Sequence, residues 1–313
     1  MKVIFISTPE FGLPTLRGLV REKYDIVGVV CQPDKPAGRG QQLTAPPIKR
    51  AALELGLPVL QFVSLRQPEA FEQLRALRPD LVLVAAYGQY IPTEIIALPP
   101  RGCFNIHPSL LPRWRGASPV AAAILAGDVE TGVTIQFVVA QMDAGDIIAQ
   151  ERTPIGEDET TGMLTARLAE WGASIYLDAI AHWLRGEITP RVQDHSQAIW
   201  CDRLKKSQGL LDWNRSAEEL ARQVRAFQPW PGAYTHWRGQ QLDVLEGAPL
   251  RDWRGAAAPG TVMRIDAGIA VAAGQGALLL RRVQLAGKRA LAIDEFTRGA
   301  RDFVGSVLGM MDS

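Results

Sequence analysis

The chain has 313 residues, 47% apolar and 21% charged, with a formal net charge of +1. At roughly 100–200 residues per domain this length implies two domains, each able to bury a core without staples. The three cysteines, Cys31, Cys103 and Cys201, are widely spaced and odd in number, which argues against a disulfide framework or a zinc module and fits a reducing compartment.

The first apolar run is too short for a secretory signal. The longest, residues 267–280, is glycine-broken and falls short of the ~20 residues a spanning helix needs. A soluble, cytoplasmic protein is therefore expected, with monomer as the default. Residues 201–313 hold 16 Lys/Arg against 12 Asp/Glu, whereas residues 1–200 hold 18 against 21. That small basic excess hints at a polyanionic partner for the C-terminal part.

In chain order, Lys2–Ser7 reads as a buried strand, residues 14–22 as helix and 26–31 as a second strand. Residues 33–47, rich in Pro, Gly and basic side chains, read as a long loop. Helix at 48–55, strand at 59–62, helix at 68–77 and strands at 81–86 and 102–107 follow. Strands alternating with helices predict an α/β fold, a doubly wound, mostly parallel sheet covered on both faces. An alanine-rich helix at 118–126 precedes two strands, 132–139 and 147–154, expected as antiparallel additions, and a long helix at 160–185 closes this unit.

Residues 186–206 have no clear period. The pattern then changes: Ser216-x-x-Glu219 is a capping box opening a helix to about residue 227. Five glycine-punctuated strand candidates follow, at 233–238, 241–246, 260–265, 269–272 and 277–285. They predict a small all-β module, naturally closed as a barrel. The expected domains are 1–188, a linker at 189–206, and 207–313.

The first strand is followed by no Gly-x-Gly-x-x-Gly, Gly38-Arg39-Gly40 opens no helix, and no P-loop is present. A doubly wound sheet still binds ligands at the carboxyl ends of its strands. Asn105 and His107 lie at such an end, and residues i and i+2 of a strand face the same way. An amide donor beside an imidazole suits a reaction that builds negative charge on a carbonyl oxygen and moves a proton. Pro108 ends the strand, and Ser109, Leu110, Leu111 and Pro112 form an apolar lip. A carboxylate partner comes from Gln141-Met142-Asp143-Ala144-Gly145-Asp146; from the residues alone, Asp143 and Asp146 are equal candidates. His182, His195 and His236 lack comparable company and read as packing or solvated residues.

The run Asn105-x-His107-Pro108-Ser109-Leu110-Leu111-Pro112, with Gly116-Ala117-x-Pro119 and Met142-Asp143-x-Gly145, resembles the formyltransferases that use 10-formyltetrahydrofolate. The resemblance implies a catalytic trio of Asn105, His107 and Asp143, and no metal. It also implies a folate slot formed by Tyr87, Gly88 and Ile91, the lip Ser109–Leu110–Leu111–Pro112, and Met142. Within the family the likeness is to the branch whose acceptor is initiator methionyl-tRNA. Three stretches carry it: Pro33-Asp34-Lys35-Pro36-Ala37-Gly38-Arg39-Gly40, Lys206-x-x-Gly209-x-Leu211-Asp212-Trp213, and Arg225-Ala226-Phe227-x-Pro229-Trp230-Pro231-Gly232-Ala233. They imply an OB-like C-terminal domain that binds tRNA. Lys35 and Arg39 are then expected at the acceptor end, with Lys205, Lys206, Arg281, Arg282, Lys288 and Arg289 as candidates for phosphate contact. Trp213, Trp230 and Trp237 are expected in the core rather than under bases.

In one departure, Ser7 and Gly12 stand where the family has Gly and Ala. The rival readings are a formyltransferase acting on a sugar or ribonucleotide amine, a formyltetrahydrofolate hydrolase, and a non-catalytic RNA-binding protein.

Overall fold

The structure is a computed structural model and describes residues 1–37 and 42–309. Its elements run β1 (Lys2–Ser7), α1 (Leu13–Arg21), β2 (Asp25–Cys31), β3 (Lys35–Ala37), β4 (Gln42–Thr44), α2 (Pro47–Glu54), β5 (Val59–Gln61), α3 (Pro68–Ala76), β6 (Leu81–Ala85), α4 (Thr93–Ile96) and β7 (Cys103–His107). Then come β8 (Arg115–Gly116), α5 (Pro119–Ala126), β9 (Glu130–Phe137), β10 (Ile147–Pro154), α6 (Thr161–Leu184) and β11 (Trp200–Cys201). The C-terminal part holds α7 (Ala217–Ala226), β12 (Ala233–Trp237), β13 (Gln240–Leu250), β14 (Val262–Ile265), β15 (Gly268–Ala272), β16 (Ala277–Leu285), β17 (Leu291–Ala292) and α8 (Ile293–Gly299).

The seven-stranded sheet has the order β10-β9-β7-β6-β1-β2-β5. It is parallel from β5 to β7 and antiparallel at β9 and β10, as the sequence implies. Every residue of β6 is buried, as are all of β1 but Lys2. Runs without polar alternation, such as Leu81–Ala85, are what a strand covered on both faces requires. Chain order reverses at β1, which β2 and β6 flank, so the ligand crevice belongs at the carboxyl ends of β1 and β6. The antiparallel neighbour β9 then sets its side chains against those of β7.

Ser7 ends β1, and its hydroxyl donates to the Ala85 carbonyl of β6 across that crevice floor at 2.5 Å. A Cβ on Gly12 would collide with this hydroxyl. The two departures from the family pattern are thus one exchange: the side-chain volume lost at position 12 is taken up at position 7.

The chain divides into two compact units: Met1–Pro119, Glu130–Pro154 and Thr165–Asp202 in one, and Val120–Val129, Ile155–Leu164 and Arg203–Ser313 in the other. The second unit centres on an antiparallel sheet, β12-β13-β16-β15-β14, with β17 beside β16. Its edges are joined by the segment after α8: Val307 pairs with Thr261 beside β14, and the Gly309 N–H donates to the His236 carbonyl of β12. Leu220, Val224, Trp213, Trp237, Phe296 and Phe303 fill its core, and Trp213 and Trp237 are buried there as expected, whereas Trp230 is 53% exposed.

Three sequence expectations need correction. Residues 33–47 are not all loop: β3 and β4 pair antiparallel, Lys35 opposite Thr44. The second strand of the C-terminal module continues to Leu250 through Gly247 and Pro249, because register shifts after Val244 and Glu246 let the pairing resume. The module is also not all-β, since α8 follows β17; its seven residues are too few to display a helical period.

Two outcomes follow from these local contacts. Gly12→Ala alone should destabilise by about 1–3 kcal/mol, the usual cost of overpacking. The added substitution Ser7→Gly should recover most of that loss; equal melting temperatures for single and double variants would refute the exchange. At the start of α7, Ser216 and Glu219 form the reciprocal capping box, and hydrogen bonds from Ser216 and Arg215 hold the Glu219 carboxyl at about 2, below its ordinary 4.5. A depressed carboxyl stabilises fully above pH 4.5 and loses that contribution as pH falls toward 2. Acid titration of thermal stability should therefore be shallower across this window in Glu219→Gln than in the wild type.

Candidate active site

The face shared by β7 and β9 gathers the candidate functional side chains. Asn105 lies opposite Gln136 and His107 opposite Thr134, so the pleat turns Asn105, His107, Thr134 and Gln136 to one side. Among the described residues the Asn105 amide makes no side-chain hydrogen bond, which leaves its donor available to a ligand. His107 is clamped: Nε2 lies 2.8 Å from the Trp114 carbonyl, and Nδ1 faces Asp143 Oδ1 at 3.5 Å. The Trp114 carbonyl can only accept, so the proton sits on Nε2. At 3.5 Å the Nδ1 contact is longer than a good hydrogen bond, and the nitrogen is free to share its bonding with a ligand atom.

The Asp143 side chain is only 13% exposed. Oδ2 accepts from the Gly116 N–H at 2.9 Å and Oδ1 from the Gln136 amide at 3.1 Å. Three residues of the site have left-handed backbone: Trp114 at φ 62°, Asp143 at φ 50° and Gly116 at φ 115°. Only at Gly116 is a side chain impossible as well, since a Cβ would enter the Cys201 carbonyl. Gly145 is fixed for a similar reason, because a Cβ there would strike the Phe137 carbonyl at the end of β9. The Met-Asp-x-Gly pattern is thus one residue that carries the carboxylate and another that lets its loop touch the sheet.

Thr134 builds the lip. Its hydroxyl donates to the Ser109 carbonyl at 2.6 Å and accepts from the Leu111 N–H, while Gln150 reaches both Thr134 and the Leu111 carbonyl. The Ser109 hydroxyl donates to the Arg113 carbonyl at 2.6 Å.

The stretch with no sequence period returns to this site. Arg191 pairs with Ile147 of β10, and β11 lies parallel to β8, Trp200 beside Arg115 and Cys201 beside Gly116. Between them Gln193 is 2% exposed. Its amide nitrogen lies 2.7 Å from the Gly145 carbonyl, 3.0 Å from that of Asp143 and 3.1 Å from Gln136 Oε1. Its oxygen accepts from Arg115 Nη2 at 2.7 Å and Nε at 3.2 Å. Arg115 is 1% exposed and also donates to His195 Nδ1. Burial pushes its guanidinium pKa down, and the nearby Asp143 charge opposes that. Sequence reasoning missed Gln136, Gln193 and Arg115. Gln136 had a usable signal, a polar side chain two residues from Thr134 among Val133, Ile135 and Phe137; Gln193, in an aperiodic stretch, had none.

The other expected residues fall as follows. Tyr87 and Ile91 pack into the core with Ile4, Val82 and Val84, while Gly88 is exposed at φ 78°. Ser109 and Leu111 are buried, Leu110 and Pro112 half-buried, and Met142 is 59% exposed beside the carboxylate. Lys35 is exposed on β3 and donates to Gln32 at 2.6 Å; Arg39 lies outside the described residues. Lys205, Lys206 and Lys288 are exposed. Arg281, Arg282 and Arg289 are also exposed but carry ion pairs, to Asp158, Glu246 and Glu295. Among the described residues no His/Cys/Asp/Glu group has the arrangement of a metal site, and no helix is long and apolar enough to cross a membrane.

Comparison with known proteins agrees with this geometry. Residues 1–180 match the formyl transferase family and residues 203–301 its C-terminal domain. A methionyl-tRNA formyltransferase of Roseiflexus castenholzii is 46% identical over 310 residues, 99% of either chain. That of Bacillus subtilis is 42% identical over 99% of this chain and 98% of its own. Among solved structures, an N-formyltransferase of Helicobacter canadensis superposes with a TM-score of 0.68 at 16% identity, over 92% of this chain and all of that one. HypX of Aquifex aeolicus, solved with tetrahydrofolic acid, superposes at 0.66 and 18% identity, over 97% of this chain and 48% of its own. The remote structures speak for the fold alone, but likeness at 41–46% identity from end to end does more, and with both domains matched the chain belongs to the methionyl-tRNA formyltransferase family.

Proposed function

We propose that this chain transfers the formyl group of 10-formyltetrahydrofolate to the amino group of methionine on initiator methionyl-tRNA, in the cytoplasm, for translation initiation. The observation that carries the reading is likeness over 99% of both chains to a methionyl-tRNA formyltransferase. The site fits such a reaction: Asn105 offers an uncommitted amide on the face that also carries His107 and Asp143.

The folate supplies the formyl carbon, and its nitrogen, as leaving group, takes up a proton; no metal is required. Asn105 and the protonated ring of His107, through Nδ1, stabilise the oxyanion that forms when the amine attacks. Trp114, by accepting from Nε2, keeps Nδ1 turned to the reacting centre. Asp143 faces that nitrogen and, directly or through water, relays the proton the amine gives up toward the departing nitrogen. Ser109, Leu110, Leu111 and Pro112, with Tyr87, Gly88, Ile91 and Met142, are the proposed walls of the folate slot. Arg39 and Lys35 meet the acceptor end of the tRNA, and Lys205, Lys206, Arg281 and Lys288 its phosphates. The proposed domains are residues 1–188 and 207–313, joined by 189–206; in the compact units, 189–202 lie with the first and 120–129 and 155–164 with the second. A sugar or ribonucleotide amine as acceptor would leave the basic 33–40 segment without a role.

With 10-formyltetrahydrofolate, purified protein should formylate charged initiator methionyl-tRNA and leave charged elongator methionyl-tRNA largely unmodified. Folate turnover without tRNA would instead point to a hydrolase. His107→Ala and Asp143→Ala should each abolish transfer while keeping the melting temperature near that of wild type; appreciable residual activity would overturn the assigned roles. Arg39→Ala should raise the KM for tRNA far more than that for folate, and equal changes in both would give the segment another task.

A further inference from the structure

A buried glutamine from the aperiodic stretch after α6 holds the proposed catalytic carboxylate from two directions. Through its amide nitrogen Gln193 reaches the main-chain carbonyls of Asp143 and Gly145, two residues apart in the β9–β10 loop that presents the carboxylate. It also reaches Gln136 Oε1, and the other end of that amide donates to Asp143 Oδ1. Two hydrogens serve three acceptors, so the amide is shared rather than saturated at any one of them. Arg115, donating twice to Oε1, fixes which end of the Gln193 amide faces the loop. A flipped amide would set its nitrogen against the guanidinium and its oxygen against two carbonyls.

The grip has something to restrain. Asp143 lies at φ 50°, a left-handed conformation that few non-glycine residues adopt. Released, the loop would relax toward ordinary backbone and carry Oδ1 away from His107 Nδ1, from which it now stands 3.5 Å. We infer that Gln193, oriented by Arg115, is a positioning residue for Asp143: it touches no substrate and acts on the rate through the carboxylate alone. This rests on the formyl-transfer reading above.

The test is a double-substitution cycle on the full chain, using formylation of methionyl-tRNA, with wild-type turnover measured first. Gln193→Leu, close in volume and unable to donate, should lower kcat by about a hundredfold, the scale of a misplaced catalytic group. The KM for folate and for tRNA should stay within about twofold, because the residue contributes to neither binding site. In the Asp143→Asn background, the same substitution should change the residual rate by less than about twofold, since both act on one path. An equal loss in the two backgrounds, or a raised KM with kcat intact, would overturn the inference and leave the formyl-transfer reading standing. Wild-type protein that transfers no formyl group would overturn both. Should Gln193→Leu not fold, Gln193→Glu keeps the size and the bond from Arg115 while removing donation, and the same comparison decides.

Discussion

Removing a carboxylate from water costs several kcal/mol unless the site replaces its hydration. Asp143 is that carboxylate here. Its replacement shell comes from two donors on separate elements, the Gly116 N–H of β8 and the Gln136 amide of β9, while His107 Nδ1 at the end of β7 faces it at 3.5 Å. Each donor is satisfactory only if its own element is in place. The antiparallel addition of β9 to a parallel sheet is what turns Gln136 toward the same side as Asn105 and His107.

The same demand explains where the backbone is forced. Trp114 and Gly116, two residues apart, both take left-handed conformations. Trp114 thereby turns its carbonyl to His107, and Gly116 turns its N–H to Asp143. One short segment thus serves the imidazole with an acceptor and the carboxylate with a donor. Unusual backbone at a functional site persists when its neighbours over-determine it. β11 supplies that here by pairing with Arg115 and Gly116 at the cost of allowing no side chain at position 116.

Much of this was legible in the sequence, for identifiable reasons. Buried parallel strands such as Lys2–Ser7 and Leu81–Ala85 announce themselves as unbroken apolar runs, and Ser216-x-x-Glu219 states its cap directly. Asn105 and His107 could be paired by the two-residue repeat of a strand. The choice of Asp143 over Asp146 needed family resemblance, because it depends on a loop conformation that spacing does not encode. Gln193 and Arg115 were invisible for a deeper reason. Their meaning lies in contacts between segments 78 residues apart, and neither belongs to a periodic element that would mark it as buried. The exchange of Ser7 and Gly12 could be noticed in the sequence as two departures, but only the Ser7 bond to Ala85 reveals them as a single substitution of volume.

The base of the 33–46 segment shows how an excursion from the sheet is attached to the crevice. Lys49 donates to both oxygens of Asp34 and to Gln61, and the Gln61 amide returns to Asp34 and to the Gln32 carbonyl. These bonds keep the Asp34 carboxyl below the usual carboxylate range. Gln32 in turn accepts from Lys35 on β3 and donates to the Tyr87 carbonyl after β6. Thr8, after β1, reaches that carbonyl too. The root of the excursion is therefore bonded to the crevice floor where the strand order reverses.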